Sequence, residues 1–148
     1  MVKPEVREEW SPLRAGSPHL YRFEAPDLFF SRTQGDVSGA DLARMFDLVE
    51  EFAARAGRRL FWMADISRVG KLSEEVGKLA LARDLKPFLR GALIYGGSFH
   101  QRLLATMVTK ALHVLKPERR TDRVVFCATE AEARAVVEEQ RRLQNAAS

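Results

Sequence analysis

The sequence has almost no cysteine, since Cys127 is the only one among 148 residues. A single thiol excludes an internal disulfide framework, and its apolar setting, VVFCATE, predicts a buried side chain in a reducing compartment. Long apolar runs are missing as well. No stretch approaches the roughly 20 residues that a membrane-spanning helix needs, and residues 1–18 lack the apolar segment of a secretion signal. We therefore expect a cytoplasmic protein without a membrane span.

Neither sign of charge dominates the chain. Its 24 lysines and arginines stand against 20 aspartates and glutamates, a net charge of +4, and the basic residues form no continuous tract. This argues against a nucleic-acid-binding protein. Hydrophobic residues make up 46% of the chain, enough for a core. We assign residues 1–18, which contain three prolines, to a flexible or surface-lying segment and residues 19–148 to a single domain.

The chain also lacks the side-chain groupings that metal binding and catalysis require. The three histidines, His19, His100 and His113, are scattered and do not form a metal-binding pair one helical turn apart. Cys127 has no histidine beside it in the sequence to activate the thiol. The segment YGGSFHQR matches neither a dinucleotide-binding pattern nor a P-loop. We predict a protein that is not an enzyme and that has no metal site and no cofactor.

Hydrophobic periodicity predicts a hairpin and then a helix at the start of the domain. HLYRFE and LFFSRTQG alternate apolar and polar residues and predict the two strands of the hairpin. The next segment, SGADLARMFDLVEEFAARAG, is helical, with Ser38 as the N-cap, Asp41 at the third helical position and Gly57 as the stop. Its predicted core face comprises Leu42, Met45, Phe46, Val49 and Phe52. A short apolar run, RLFWMAD, then predicts a buried strand that ends at Asp65.

Strands and helices alternate through the rest of the chain. SEEVGKLALARDLK predicts a helix closed by Pro87, GALIYGG a strand, SFHQRLLATMVTKALHVLK a long helix and DRVVFCA the last strand. The final helix, TEAEARAVVEEQRRL, begins with a capping box of Thr129 and Glu132. Its predicted buried side comprises Ala133, Val136, Val137 and Leu143. The order ββαβαβαβα predicts an α/β fold with a mixed, mostly parallel sheet of about five strands and about four helices.

Three segments carry a resemblance to a known family: GDVSGADLARMFDLVEEFAARAGRRLFWMADISRVG, RGALIYGGSFHQRLLATMV and VVFCATEAEARAVVEE. With the order of elements, they resemble the SpoIIAA-like group of the STAS superfamily over residues 19–143. The resemblance implies a mixed sheet with helices mainly on one face, and a regulatory role in bacterial signalling through protein binding rather than catalysis. Some relatives also resemble the CRAL-TRIO lipid carriers. That likeness implies an alternative, a groove for a small apolar ligand or lipid, with or without association with a membrane surface.

The same resemblance raises the question of a phosphorylated serine. Anti-sigma factor antagonists carry an aspartate and a serine at a strand end, and then an Asp-Ser pair whose serine a partner kinase phosphorylates. Asp65 and Ser67 match the first half, but the second pair falls on Gly70 and Lys71, so the acceptor pattern is absent. Ser73 is a candidate acceptor only if the loop is longer than in the antagonists. The favoured alternative is that Ser73 caps the following helix.

We expect the contact surface at the carboxyl ends of the strands, because open α/β sheets place their ligands there. The predicted interaction edge comprises Asp65, Ser67, Ser73, Gly96, Gly97, Ser98 and Phe99. Ser98 also begins a capping-box pattern with Gln101, which explains the local sequence without a ligand. The alternative function predicts instead an enclosed cavity between the sheet and the helix that carries Leu103, Leu104 and Met107. A contact between two copies of the chain is a further alternative.

Overall fold

The structure is a computed structural model, and it describes residues 9–98 and 124–146. Its strands are β1 (Ser11–Pro12), β2 (Leu20–Glu24), β3 (Leu28–Val37), β4 (Leu60–Leu72), β5 (Leu89–Tyr95) and β6 (Val124–Cys127). Its helices are α1 (Gly39–Ala56), α2 (Glu74–Ala82) and α3 (Glu130–Ala146). No helix in these two ranges is long and apolar enough to cross a membrane.

The strands form one mixed sheet in the order β1-β2-β3-β4-β5-β6. β1 and β3 both pair with β2 in the antiparallel sense, whereas the pairs β3–β4, β4–β5 and β5–β6 are parallel. The predicted α/β class, the opening hairpin and the mostly parallel sheet are therefore confirmed. The sheet has six strands rather than about five because the N-terminal segment adds β1.

The sheet buries both of its faces. Successive strand residues point to opposite sides, so Phe29 belongs to one core and Phe30 to the other. α1 and α2 pack on the side of Phe29 through residues such as Val49 and Val76. α3 packs on the side of Phe30 through Ala133 and Val137. Two of the three described helices thus lie on one face and the third on the other.

α1 begins and ends as its sequence predicts. Ser38 Oγ accepts a hydrogen bond from the Asp41 N–H at 3.1 Å, and the Asp41 carboxylate accepts one from the Ser38 N–H at 3.0 Å. This reciprocal pair is a capping box, with Asp41 in the position that Glu or Gln often takes. At the other end, Gly57 adopts a left-handed conformation with φ of 67°.

The N-terminal segment is part of the folded domain from residue 9 onward. Ser11–Pro12 pairs with β2, and Leu13 is only 1% exposed. His19 is buried as well: its Nδ1 accepts from the Gln34 N–H at 3.0 Å, which leaves Nε2 to donate to the Asp36 carbonyl at 2.9 Å. The expected boundary at residue 19 is therefore corrected for residues 9–18, whereas residues 1–8 lie outside the described ranges.

Two predicted helices differ from the structure, and a third lies outside it. α2 ends at Ala82 and does not continue to Pro87. α3 buries Ala133 and Val137 as predicted, but Leu143 is 58% exposed and does not belong to the buried side. The long helix predicted after Ser98, including Leu103, Leu104 and Met107, falls outside the described residues, which contain three of the predicted four helices.

Candidate functional site

β4 is longer than its sequence suggests and forms a two-stranded ribbon with β3 beyond the end of β5. It runs to Leu72, whereas its neighbour β5 ends at Tyr95, opposite Asp65. Beyond Asp65, β4 continues along β3, with Leu72 opposite Val37. The prediction that the strand ends at Asp65 is therefore wrong. We call the paired segments 34–37 and 66–72 the ribbon.

Gly70 lies inside the ribbon, on β4. A glycine after SRV is typical of a turn, yet here it lies within a strand. A side chain at this position would collide with Asp36 Oδ1 and with the backbone of Gly35 on β3. The Asp36 carboxylate also accepts from the Lys71 N–H at 2.8 Å, which ties the two strands together. The glycine therefore allows close approach of β3 and β4 rather than a turn.

Three residues of the predicted edge meet at the base of the ribbon. Asp65 Oδ1 accepts hydrogen bonds from the Ser67 N–H at 2.9 Å and from Ser67 Oγ at 2.7 Å. Gly96 follows β5 with φ of 89°, and a Cβ atom there would lie 3.1 Å from Asp65 Oδ1 and 3.2 Å from Ser67 Cβ. Only glycine fits both the backbone conformation and the space. The structure thus joins Asp65, Ser67 and Gly96 as one group.

Asp65 is held on its second oxygen by an arginine that the sequence analysis missed. Arg32 Nε donates to Asp65 Oδ2 at 3.2 Å, and the Asp65 side chain is 14% exposed. Both carboxylate oxygens are therefore engaged, which suits a residue that anchors the edge. Burial, followed by the negative charges of Glu130 and Asp65, raises the pKa of the neighbouring Tyr95. Tyr95 therefore stays protonated at neutral pH.

Ser73 occupies the N-cap position of α2 but does not act as its cap through the side chain. Its backbone N–H donates to the Val37 carbonyl at 3.0 Å, and its own carbonyl accepts from the Val76 N–H at 3.1 Å. Its side chain makes no capping hydrogen bond, and Oγ is buried. The predicted side-chain cap is therefore wrong, and the hydroxyl is closed to a kinase in this conformation.

The rest of the predicted edge is only partly described. Gly97 and Ser98 follow Gly96 in an irregular segment, and Ser98 is exposed. Phe99 and Gln101 lie outside the described residues, so the Ser98–Gln101 capping pattern does as well. In residues 9–98 and 124–146, no three side chains of His, Cys, Asp or Glu are grouped as metal ligands.

A shallow apolar groove lies between α1 and α2. The helices approach most closely where Gly39 meets Glu75: a Cβ atom on Gly39 would lie 2.6 Å from Glu75 Cβ. The groove has a volume of about 660 Å³. It is lined by Ser38, Gly39, Ala40, Ala43, Glu75, Lys78, Leu79 and Ala82. This groove is on the sheet face opposite α3, and it is not the cavity that the sequence analysis predicted.

The fold and this edge define a protein of SpoIIAA-like architecture. The chain is similar to the crystal structure of an uncharacterised protein of the DUF3478 family from Shewanella loihica PV-4, described as having a SpoIIAA-like fold. The two are 19% identical, the similarity covers 76% of this chain and 86% of that one, and the TM-score is 0.50. No protein-family model and no curated protein matches the chain. The resemblance to the SpoIIAA-like group is thus confirmed for the fold.

Proposed function

We propose that the chain is a non-catalytic regulatory domain that binds a protein partner through the ribbon and the Asp65 edge. The observation that carries the proposal is the exposure of Leu72, which is 45% exposed at the end of the ribbon. Exposure alone does not distinguish Leu72 from Leu143, but Leu72 lies on the part of β4 beyond Asp65, which pairs with β3 and with no other strand of the described residues. An open strand edge of this kind can take up an extended segment of a partner. Ser67, Arg68 and Lys71 are exposed around Leu72 on the same ribbon.

The base of the ribbon supports the proposal because it is held rigidly. Asp65, Ser67 and Gly96 form one hydrogen-bonded and close-packed group, and Arg32 holds Asp65 from β3. A preformed surface loses less conformational entropy when it binds a partner. Cys127 supports the non-catalytic assignment: burial, and after it the charge of Glu132, raises the pKa of its thiol, which disfavours the reactive thiolate.

The test compares two exposed leucines on different elements. Leu72→Asp places a charge in the ribbon, whereas Leu143→Asp, the matched control, places the same charge on α3. Tagged wild type and both variants are recovered from the native host, and co-purifying proteins are quantified by mass spectrometry. We expect a stoichiometric partner with wild type and Leu143→Asp, reduced at least tenfold with Leu72→Asp, since a charge opposes desolvation of the interface. Equal recovery with all three would contradict the proposal.

A second candidate function is the binding of a small apolar ligand or lipid. The groove between α1 and α2 favours it, because its walls are mostly alanine, glycine and leucine and its volume of about 660 Å³ suits a small molecule. Native mass spectrometry of the protein from its host, before and after mild organic extraction, tests this. An added mass that extraction removes, and that Ala43→Trp abolishes by filling the groove, supports the carrier. A bare polypeptide mass in both samples argues against it.

A further inference from the structure

Arg22 is a buried arginine with too few hydrogen-bond partners. It lies on β2, its side chain is 8% exposed, and its Nε is buried without a hydrogen-bond partner in the described part of the chain. Its ion pair with Glu24 joins Nη1 to Oε1 at 3.3 Å, a long contact for a charged pair. A guanidinium has five N–H donors, and a buried charge that lacks partners is costly. The site therefore has unused capacity for an anion.

Glu24 is shared with a second arginine, which binds it at shorter distances than Arg22 does. Arg134 on α3 donates to both of its carboxylate oxygens, at 2.9 Å and 3.0 Å. Hydrogen bonds from Arg134 have the largest effect on the pKa of Glu24, and they lower it. Burial acts in the opposite direction, but the positive charges of Arg134 and Arg22 lower the pKa further, so it lies below its ordinary value. One carboxylate is thus shared between two guanidinium groups.

A second arginine lies on the same face of the neighbouring strand. Arg32 is opposite Leu20 in the β2–β3 ladder and Arg22 is opposite Phe30, so the two arginines are diagonal neighbours. The carboxylate partner of Arg32, Asp65, also accepts two hydrogen bonds from Ser67. Both arginines therefore depend on carboxylates that other groups already use.

Trp10 covers this arginine pair. Its ring centre lies 4.1 Å from the Arg32 guanidinium and 5.0 Å from that of Arg22, while Phe30 lies 3.9 Å from Arg22 on the strand beneath. Trp10 itself is only half-buried, and the strand that follows it, Ser11–Pro12, has two residues. The cover is thus a partly exposed aromatic side chain beside a two-residue edge strand, and the margin of a sheet is where local opening costs least.

We propose that Arg22 and Arg32 form a binding site for a phosphate group, closed in this structure by Trp10. A phosphate dianion has enough acceptor oxygens to take hydrogen bonds from two guanidinium groups at once. A single carboxylate offers fewer acceptor oxygens, and the two carboxylates beside the pair, Glu24 and Asp65, are already bonded to other groups. When Trp10 moves aside, Nε of Arg22 gains the partner that it lacks. The site shares Arg32 with the base of the ribbon, but partner binding is tested at Leu72 and phosphate binding at the arginine N–H groups, so failure of one is distinguishable from failure of the other.

The test observes the arginine atoms themselves. Nε–H signals of the full chain are followed by nitrogen-15 NMR during titration with inorganic phosphate, with sodium chloride and sodium acetate at matched ionic strength as comparators. We expect saturable shifts at Arg22 and Arg32 with phosphate, weaker shifts with acetate, and none at Arg83, an arginine on α1's side of the sheet that pairs with Asp47 and Glu50. If phosphate produces the same shifts as sodium chloride, the two arginines do not form an anion site. If acetate binds as tightly as phosphate, the assignment to phosphate is wrong.

Two variants test the guanidinium geometry of Arg22 and the covering ring of Trp10 one at a time. Arg22→Lys keeps the charge but loses the planar fork, and we expect phosphate affinity to fall roughly tenfold or more, whereas Arg83→Lys leaves it unchanged. Trp10→Ala removes the cover. We expect the affinity for phosphate to rise roughly fivefold to thirtyfold, because phosphate no longer has to displace the Trp10 ring. If Arg22→Lys fails to fold, Trp10→Ala decides: an unchanged or weaker affinity overturns the proposal.

Discussion

Arg32 Nε lies 3.2 Å from Asp65 Oδ2, and the same guanidinium lies 4.1 Å from the centre of the Trp10 ring. One side chain therefore connects the N-terminal segment with the edge at which β5 ends. Asp65 extends the connection to Ser67 through two further hydrogen bonds. Contacts between residues so far apart in the sequence couple the covered arginine pair to the base of the ribbon.

The Arg32–Asp65 pair should be measurably coupled in stability. We expect Arg32→Gln and Asp65→Asn each to lower the free energy of unfolding by about 0.5–1.5 kcal/mol, with a coupling energy of about 0.5–1 kcal/mol because the pair is partly shielded from solvent. Urea unfolding of the two single variants and the double variant measures this. The exposed pair of Arg55 and Glu51 is the control, and its coupling should be below about 0.5 kcal/mol. Strict additivity at Arg32 and Asp65 would show that the pair contributes nothing.

Two glycines should respond oppositely to the same substitution. Gly96→Ala puts a Cβ atom 3.1 Å from Asp65 Oδ1 on a backbone with φ of 89°, so we expect a loss of about 1–3 kcal/mol. Gly77→Ala lies in α2 with nothing within 4 Å of the new atom, so we expect a gain of about 0.5–1 kcal/mol. Thermal and urea unfolding of both variants test the pair. Equal effects at the two positions would contradict the packing of Gly96 against Asp65.

Local sequence signals predicted the elements whose stabilising contacts are also local. α1 was predicted with its caps because Ser38, Asp41 and Gly57 act on their own helix ends. The resemblance to the SpoIIAA-like group predicted the fold. Asp65, Ser67 and Gly96 were expected at one edge, and they do lie together, because β5 ends beside Asp65 of the parallel strand β4. The caps needed no contact between distant segments, and the shared edge needed only the parallel order of β4 and β5.

Several of the failures concern contacts that distant segments supply. Gly70 appears as a turn residue until β3 is placed beside it. Prolines in a terminal segment usually predict irregular structure, but Ser11–Pro12 forms a strand because β2 offers an edge with which it can pair. The sequence carries no signal of the arginine cluster: Arg22 lies between Tyr21 and Phe23, which by strand alternation predicts an exposed position, and Arg32 lies between Ser31 and Thr33. Their partner Trp10 was not foreseeable from spacing.

Two serines at equivalent helix positions should differ in their contribution to stability. Ser38 caps α1 with its side chain, so Ser38→Ala should cost about 1 kcal/mol. Ser73 makes no side-chain capping bond at α2, so Ser73→Ala should change stability by less than about 0.5 kcal/mol. Ser73→Asp, by contrast, would force a carboxylate into the site of a buried Oγ and should destabilise the domain. A full cap-sized loss for Ser73→Ala would refute this assignment.

The capping carboxylate of α1 should make stability depend on pH in acid. Burial of Asp41 opposes its ionisation, but hydrogen bonds from the Ser38 N–H and the Arg14 guanidinium outweigh burial and lower its pKa below the ordinary value. A carboxyl group with a depressed folded pKa stabilises fully above its unfolded pKa and loses that contribution as the pH falls through the folded value. The loss should therefore begin as the pH falls towards the ordinary aspartate pKa of about 4 and continue below it.

Asp41→Asn isolates this contribution. At pH 7 we expect it to lower the free energy of unfolding by about 1–2 kcal/mol, since it removes a charged acceptor from both Arg14 and the Ser38 N–H. The difference from wild type should shrink towards zero as the pH falls, because the wild-type carboxyl is then protonated too. Gly77→Ala, which alters no ionisable group, should keep a constant difference over the same range. Urea unfolding at several pH values measures both, and a pH-independent effect of Asp41→Asn would show that the charge on Asp41 does not stabilise the helix.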